Sequence, residues 1–333
     1  MPKRKMEPEP EPEPVDVSVE APEQEGIAAL FQGFPCELVS NPQMGGSRDV
    51  VASRHLEQGE RVLASAPLGI AIDRRHMATR CSWCFAMREA PFDESHENSS
   101  EEEIEWEVRC ERCCSAYYCT AACAEAAAPQ HELCCAALCA VEKKKALKKE
   151  ERLLARLLIS VLGSLRFPAG AAAAARAAQQ PSLPMLLELW PDQRESAGSA
   201  KRAKQRTVAA KTVLAIAGDA LLSALPGDLP SRERLLVAAL ERGPMNEFGL
   251  WCADGEAGSA GTAYYPAGAM CNHSCLPNMV HQFEGTDLVF YTVREVKAGE
   301  SLCFSYTPPG GAVATKQAVR FTPFLNCFIM CLC

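Results

Sequence analysis

Between residues 81 and 135 the chain carries Cys81-x2-Cys84, Cys110-x2-Cys113, Cys119-x3-Cys123 and His131-x3-Cys135, which is seven cysteines and one histidine in four close pairs. Side chains two or three residues apart reach a common ion only from a tight turn or the first turn of a helix, so this spacing constrains backbone and chemistry together. Eight such ligands supply two tetrahedral zinc sites with none left over. Protein fills every coordination position at both, so both zincs are expected to be structural. Cys114, Cys134 and Cys139 fall outside the pairs and read as ordinary thiols.

Metal is the better explanation for the 18 cysteines because nothing in the chain suggests an oxidising compartment. No stretch approaches the roughly 18 uninterrupted apolar residues of a membrane span, and the N-terminus lacks the apolar core of a signal peptide. The chain is therefore expected to be intracellular and soluble, where thiols stay reduced. Its net charge of −8 argues against a broad nucleic-acid footprint and suits a basic protein or peptide partner.

Residues 1–26, with the repeat "EPEPEPEP", cannot bury enough apolar surface to order and read as a disordered acidic tail. Lys3, Arg4 and Lys5 are too few to indicate a nuclear address over a solvated terminus. Residues 27–80 hold β-prone pieces, "DVVAS", "ERVLAS" and "GIAI", separated by turn residues, and read as a small antiparallel sheet. The metal-ligand region, 81–135, is followed by a helical insert over 136–242. There Leu147, Leu154, Leu158, Val161 and Leu165 recur beneath "EKKKALKKEE", read as that helix's solvated face. Residues 169–200 are Ala-, Gly- and Pro-rich and read as a loop around a short "LLELW" segment, with further helices over 201–224 and 231–242. Over 243–306 the β signal returns in "DLVFYTV" and "SLCFSY". Neither strand-rich half can close a core alone, so the expected fold is α+β, one β-rich domain split by a zinc finger and a helical insert.

The heptad "NHSCLPN", residues 272–278, would by itself read as a polar turn. It is followed about thirty residues later by "KAGESLCFSY", and together the two resemble the catalytic signature of a SET domain. "RDVVASRHLEQGERVL" resembles that domain's opening strands, and "CERCCSAYYCTAACAEAAAPQHELC" resembles a MYND zinc finger. A finger inserted behind such strands is similar to the arrangement of the SET and MYND (SMYD) family of protein-lysine methyltransferases. The resemblance covers roughly residues 27–139 and 243–306.

The resemblance implies interleaved ligation, with Cys81, Cys84, Cys119 and Cys123 on one zinc and Cys110, Cys113, His131 and Cys135 on the other. It implies methyl transfer from S-adenosylmethionine to a lysine, with Asn272, His273 and Arg48 at the cofactor. Tyr306 matches the catalytic tyrosine of the lysine channel, with Phe248, Tyr264 and Tyr265 as further channel or cofactor-pocket walls. In-line displacement needs a neutral amine, and a narrow apolar channel lowers an amine's pKa by desolvation. Family members build a third zinc site from a cysteine at the Cys275 position and three in a post-SET tail. Here Cys327, Cys331 and Cys333 match that count, with the spacing reversed, in a degenerate post-SET-like tail over 307–333.

The chain has Ser47 and Asp49 where the family usually has Gly-x-Gly, which is expected to reduce cofactor affinity. It ends without the helical C-terminal domain many members carry, and is expected to be a compact variant or a truncated product. The expected partners are a protein with an accessible lysine, a histone tail or another segment, and a proline-containing peptide at the finger. The acidic insert "FDESHENSSEEEIEWE", with His96 as a solvent residue, makes direct DNA binding unexpected. A monomer in the nucleus, the cytoplasm or both, without membrane attachment, fits these features. The competing expectation is a non-catalytic protein-interaction module.

Overall fold

The computed structural model describes residues 26–41, 47–87, 106, 108–167, 180–191, 198–251 and 259–306. The Glu-Pro segment, the acidic insert with His96, most of 169–200 and the tail with Cys327, Cys331 and Cys333 lie outside the described residues.

A 3-10 turn, Ile27–Phe31, leads into β1 (Cys36–Asn41), which pairs antiparallel with β2 (Ser47–Ala52). β3 (Arg61–Ser65) and β4 (Gly69–Ile72) follow. The metal-ligand region contains the short hairpin β5 (Val108–Arg109) and β6 (Tyr117–Tyr118), then α1 (Ala121–Lys143). The helical insert continues as α2 (Lys149–Ser164), α3 (Leu183–Leu187), α4 (Ser199–Ile216), α5 (Asp219–Leu222) and α6 (Leu229–Asn246). The last part holds β7 (Glu247–Trp251), β8 (Ser259–Tyr264), β9 (Asn272–His273), β10 (Met279–Glu284), β11 (Asp287–Thr292) and β12 (Cys303–Phe304). The fold is α+β. No helix among the described residues is long and apolar enough to cross a membrane.

The N-terminal strands do not form one sheet of their own, which corrects the expectation drawn from their turn-bounded spacing. Instead β3 pairs with β11, with Leu63 opposite Phe290, and β4 pairs with β8, with Gly69 opposite Tyr264. β2 is also stitched to the far end of the chain, since the Leu302 N–H donates to the Val50 carbonyl at 2.7 Å and Ala52 N–H to Glu300 at 3.0 Å. Each half thus supplies strands the other needs, as a β domain split by insertions requires.

α2 is the centre of the helical part. Ala155, Leu158, Val161 and Leu162 are fully buried, and Ser160 accepts the Ile70 N–H at 3.0 Å, closing the free edge of β4. Arg156, also buried, bridges Glu142 of α1 at 2.9 Å and the Ile72 carbonyl at 3.0 Å. The lysines of "EKKKALKKEE" are solvated as expected, but Leu147 and Glu151 are buried, and the run forms the end of α1, the connection and the start of α2. The Lys148 N–H donates to Glu151 at 2.9 Å to cap that start.

Gly261 of β8 lies opposite Ile72, and a Cβ there would run into the Ala71 carbonyl oxygen and come within 2.8 Å of Ile72 Cα. Backbone cannot move aside as a side-chain tip can, so Gly261→Ala is expected to destabilise the protein by about 1–3 kcal/mol. Urea titration checks this, and an unchanged midpoint would show that β4 and β8 are not packed this closely.

Candidate functional site

Two groups of metal-ligating atoms stand out. Cys81, Cys84, Cys119 and Cys123 form one, and Cys110, Cys113, His131 and Cys135 the other, with each group's ligand atoms all within 4.8 Å of one another. A zinc tetrahedron with Zn–S bonds near 2.3 Å sets sulfurs about 3.8 Å apart. The separations fit: 3.5 Å for Cys84–Cys119 and for Cys119–Cys123, 3.6 Å for Cys110–Cys135, and 3.7 Å from Cys113 Sγ to His131 Nε2. The donor sets, all thiols in the first group and three thiols with an imidazole in the second, suit structural zinc, and the grouping is the interleaved one.

Local backbone explains how each pair reaches one point. Both C-x2-C turns end on a left-handed residue, Phe85 with φ 61° after Cys84 and Cys114 with φ 51° after Cys113. In both, that residue's N–H returns to the carbonyl of the first cysteine, at 3.1 and 2.9 Å. Positive φ is costly for residues with a Cβ, and its repetition at the same place gives Cys114 a backbone role rather than a ligand role. Thr120 caps α1 through the Cys123 N–H at 3.2 Å, placing Cys119 and Cys123 around the helix start. His131 and Cys135, one helical turn apart, come from the same helix. Cys134 points the other way into the core, where burial pushes its thiol up to about 12.

The second site lies where β9 and β12 pair in parallel, Asn272 beside Cys303 and His273 beside Phe304. This pairing brings the 272–278 heptad against Tyr306. The Tyr306 N–H donates to His273 Nδ1 at 3.0 Å, and the two rings sit 5.2 Å apart. With Nδ1 accepting, the neutral imidazole carries its proton on Nε2, 3.3 Å from Cys275 Sγ. Burial lowers the His273 pKa, so the ring is neutral at neutral pH. The Tyr306 hydroxyl donates to the Cys271 carbonyl at 2.8 Å. The tyrosine is 38% exposed among the described residues.

Asn272 donates its side-chain amide to Asp49 at 3.0 Å and to the Arg48 carbonyl at 3.4 Å. Asp49 is buried and also accepts from Ser301 at 2.8 Å. Asn272 therefore has its amide nitrogen fixed inward, leaving Oδ1 as the acceptor. Where a glycine was expected, Asp49 acts as an internal tie, and Ser47 carries a buried hydroxyl without a partner among the described residues.

Aromatic rings extend from Tyr306. Phe304 lies 4.8 Å from it and stacks at 5.8 Å on Phe248, which is backed edge-on by Tyr265 at 5.7 Å.

Three expected site residues have other contacts. The Arg48 guanidinium is paired with Glu188, 3.4 Å to the carboxylate and also to the backbone carbonyl. Glu188 in addition takes the Ile27 N–H at 3.0 Å. Tyr264 is no channel wall: it is 1% exposed and its hydroxyl donates to Ala239 of α6 at 3.2 Å. Tyr265 is fully buried with its hydroxyl on the Thr286 carbonyl at 2.7 Å, so it supports Phe248 and lines no opening. Tyr264 ends β8 and Tyr265 follows it, and two adjacent tyrosines carry no sign in the sequence of which face each ring takes. Cys275 is beside His273, and its expected partners in a third zinc site lie outside the described residues.

The SET domain family model matches residues 47–307. Among curated proteins, human N-lysine methyltransferase SMYD2 is 34% identical over 77 residues, 23% of this chain and 17% of that protein. The potential protein lysine methyltransferase SET6 of Saccharomyces cerevisiae is 32% identical over 94 residues, 26% of this chain and 24% of that protein. A SET and MYND domain-containing protein of Dictyostelium discoideum is 33% identical over 83 residues, 25% of this chain and 21% of that protein. The matched segments thus span about a quarter or less of these relatives' lengths.

Proposed function

Because this chain belongs to the SET-domain family and shares the finger-bearing arrangement of its SET and MYND (SMYD) members, we propose that it transfers a methyl group from S-adenosylmethionine to a lysine amine of a protein. The observation that carries this reading is the parallel β9–β12 pair, which sets Asn272, His273 and Tyr306 side by side although 33 residues separate the last two in sequence.

The cofactor supplies an activated methyl group on a sulfonium. Asn272 Oδ1, fixed by Asp49, suits the cationic amino end of that cofactor, and the neighbouring cation, Arg48, is held by Glu188. Phe248, Phe304 and Tyr306 provide an apolar wall beside which a lysine amine loses water and with it much of its hold on a proton. Tyr306 offers the amine an oxygen whose own hydrogen is committed to Cys271. The two Cys-rich groups would hold structural zinc, with all positions filled by protein.

A lysine on a flexible segment, such as a histone tail, fits a chain of net charge −8 in the nucleus or cytoplasm, and the finger would take a proline-containing peptide. A second reading, a protein-interaction module without turnover, draws support from Ser47 and Asp49, which stand where related chains have the glycines that let the protein backbone approach the cofactor closely.

Calorimetric titration of the zinc-loaded protein with S-adenosylmethionine separates the two. Binding in roughly the micromolar range, abolished by Asn272→Ala, is expected for the enzyme. Absence of binding to folded, zinc-loaded protein would leave the interaction module.

A further inference from the structure

His281 sits inside the aromatic cluster and has no part in the reading above. On β10 the residues Met279, His281 and Phe283 face inward, alternating with exposed Val280, Gln282 and Glu284. The His281 ring centroid lies 5.3 Å from Phe304, 5.7 Å from Phe290 and 5.8 Å from Phe248. No hydrogen bond is made to its ring nitrogens among the described residues. A half-buried imidazole set among phenyl rings is costly unless its acceptor nitrogen meets a polar ligand or water.

Among the described residues no charged group contacts it. The three facing rings, from β7, β11 and β12, do not ionise. The hydroxyls behind them are committed, Tyr265 to Thr286 and Tyr306 to Cys271. Glu247, beside Phe248, accepts from Thr262 at 3.0 Å, and Glu284 on the same strand pairs with Arg61 at 3.7 Å. Burial alone lowers the His281 pKa from its ordinary 6.5, which leaves a neutral acceptor at neutral pH.

Resting on the methyl-transfer reading, we propose that His281 binds the substrate amine, its unprotonated ring nitrogen accepting an N–H of the neutral lysine amine one ring away from Tyr306. This contact sets the product state. A neutral primary amine has two N–H groups, a monomethyl amine one and a dimethyl amine none, so each transfer removes a donor. His281 favours amines that still carry an N–H, so lysine and monomethyl-lysine are accepted and the enzyme stops at dimethyl-lysine.

The probe is n-propylamine against N,N-dimethylpropylamine, titrated at about pH 9, close enough to the amine pKa near 10.4 for the neutral form to be present. Full-length zinc-loaded protein is saturated with S-adenosylhomocysteine and observed through labelled histidine carbons, the His281 signal being the one lost in His281→Val. The expected result is a shift of that signal by propylamine and a roughly 3- to 10-fold preference for it over the dimethyl amine. His281→Gln, which keeps an acceptor, retains the preference, and His281→Val loses it. Equal preference in wild type and His281→Val, with S-adenosylhomocysteine still bound, would overturn the role of His281 alone. Failure of wild type to bind S-adenosylhomocysteine would overturn the methyl-transfer reading and this inference with it.

Discussion

Cys135→Ser is expected to reduce bound zinc from two ions per chain to one and to unfold the second half of the finger. Cys135 is 1% exposed on α1, and a serine hydroxyl in its place is a poor zinc ligand beside two thiolates and an imidazole. Structural zinc in such small modules contributes about 10–16 kcal/mol of apparent binding free energy. That is as large as the whole stability of a typical domain, about 5–15 kcal/mol. The finger's own apolar cluster is small, formed mostly by Ala116, Tyr118, Ala127 and the ligands themselves, and has little else to hold it. The main core differs, because Cys134, Ala137 and Val141 of α1 pack into it independently of the metal. The variant should therefore keep most of its helical signal while residues 108–120 become open to protease. Zinc stoichiometry by mass spectrometry under native conditions checks this. Cys114→Ser and Cys139→Ser should both keep two ions, and a Cys135→Ser protein that also keeps two would show that the ligand set is wrong.

The ligand set was legible because its chemistry is local. Pairs two or three residues apart can be recognised from spacing alone, and the pairing of Cys81 with Cys119 rather than with Cys110 entered only through family resemblance. The split of the β domain was legible for a similar reason, since each strand-rich half was too small to stand alone. What spacing could not reveal was which strands pair. The N-terminal pieces looked like a sheet because turn residues separate them, whereas β3 and β4 find their partners more than 180 residues away. Strand pairing over such distances is decided by complementary faces, and local pattern carries no record of it.

Side-chain roles followed the same division. Tyr306 and Asn272 sit in motifs, but Tyr264 and Tyr265 were adjacent aromatic residues whose faces depended on α6 and on the turn at Thr286. Two further signals lie in the sequence. Asp49 is a carboxylate among "RDVVA", at an inward position of a strand, where a buried charge needs donors, and it finds Asn272 and Ser301. His281 lies on the apolar face of "MVHQFE" by simple alternation. Glu188, which holds both Arg48 and the Ile27 N–H, had no such signal.

Tyr306→Phe is expected to lower methyl transfer by about 100-fold or more while leaving cofactor affinity unchanged. The substitution keeps the ring, and the ring makes the packing contacts, 4.8 Å to Phe304 and 5.2 Å to His273. The backbone N–H that fixes His273 is also kept, so Asn272 and His273 hold their places. Only the oxygen goes. In the wild type its hydrogen is directed to Cys271 by the 2.8 Å bond, so the lone pairs are the part of the hydroxyl left to face an amine. Those lone pairs can orient a neutral amine and interact more strongly with the positive charge that develops on nitrogen as the methyl arrives. An interaction stronger in the transition state than in the ground state appears in kcat rather than in binding. Cys271 is 1% exposed, so its released carbonyl loses a donor in a buried setting, and the substitution is expected to cost about 1–3 kcal/mol of stability as well. Single-turnover transfer of labelled methyl to an accepted protein substrate, beside calorimetry with S-adenosylmethionine, separates the two quantities. Unchanged turnover in Tyr306→Phe would make the tyrosine a packing residue. Loss of cofactor binding together with turnover would mean that the hydroxyl supports the fold of the β9–β12 pair, and that catalysis is carried by other groups.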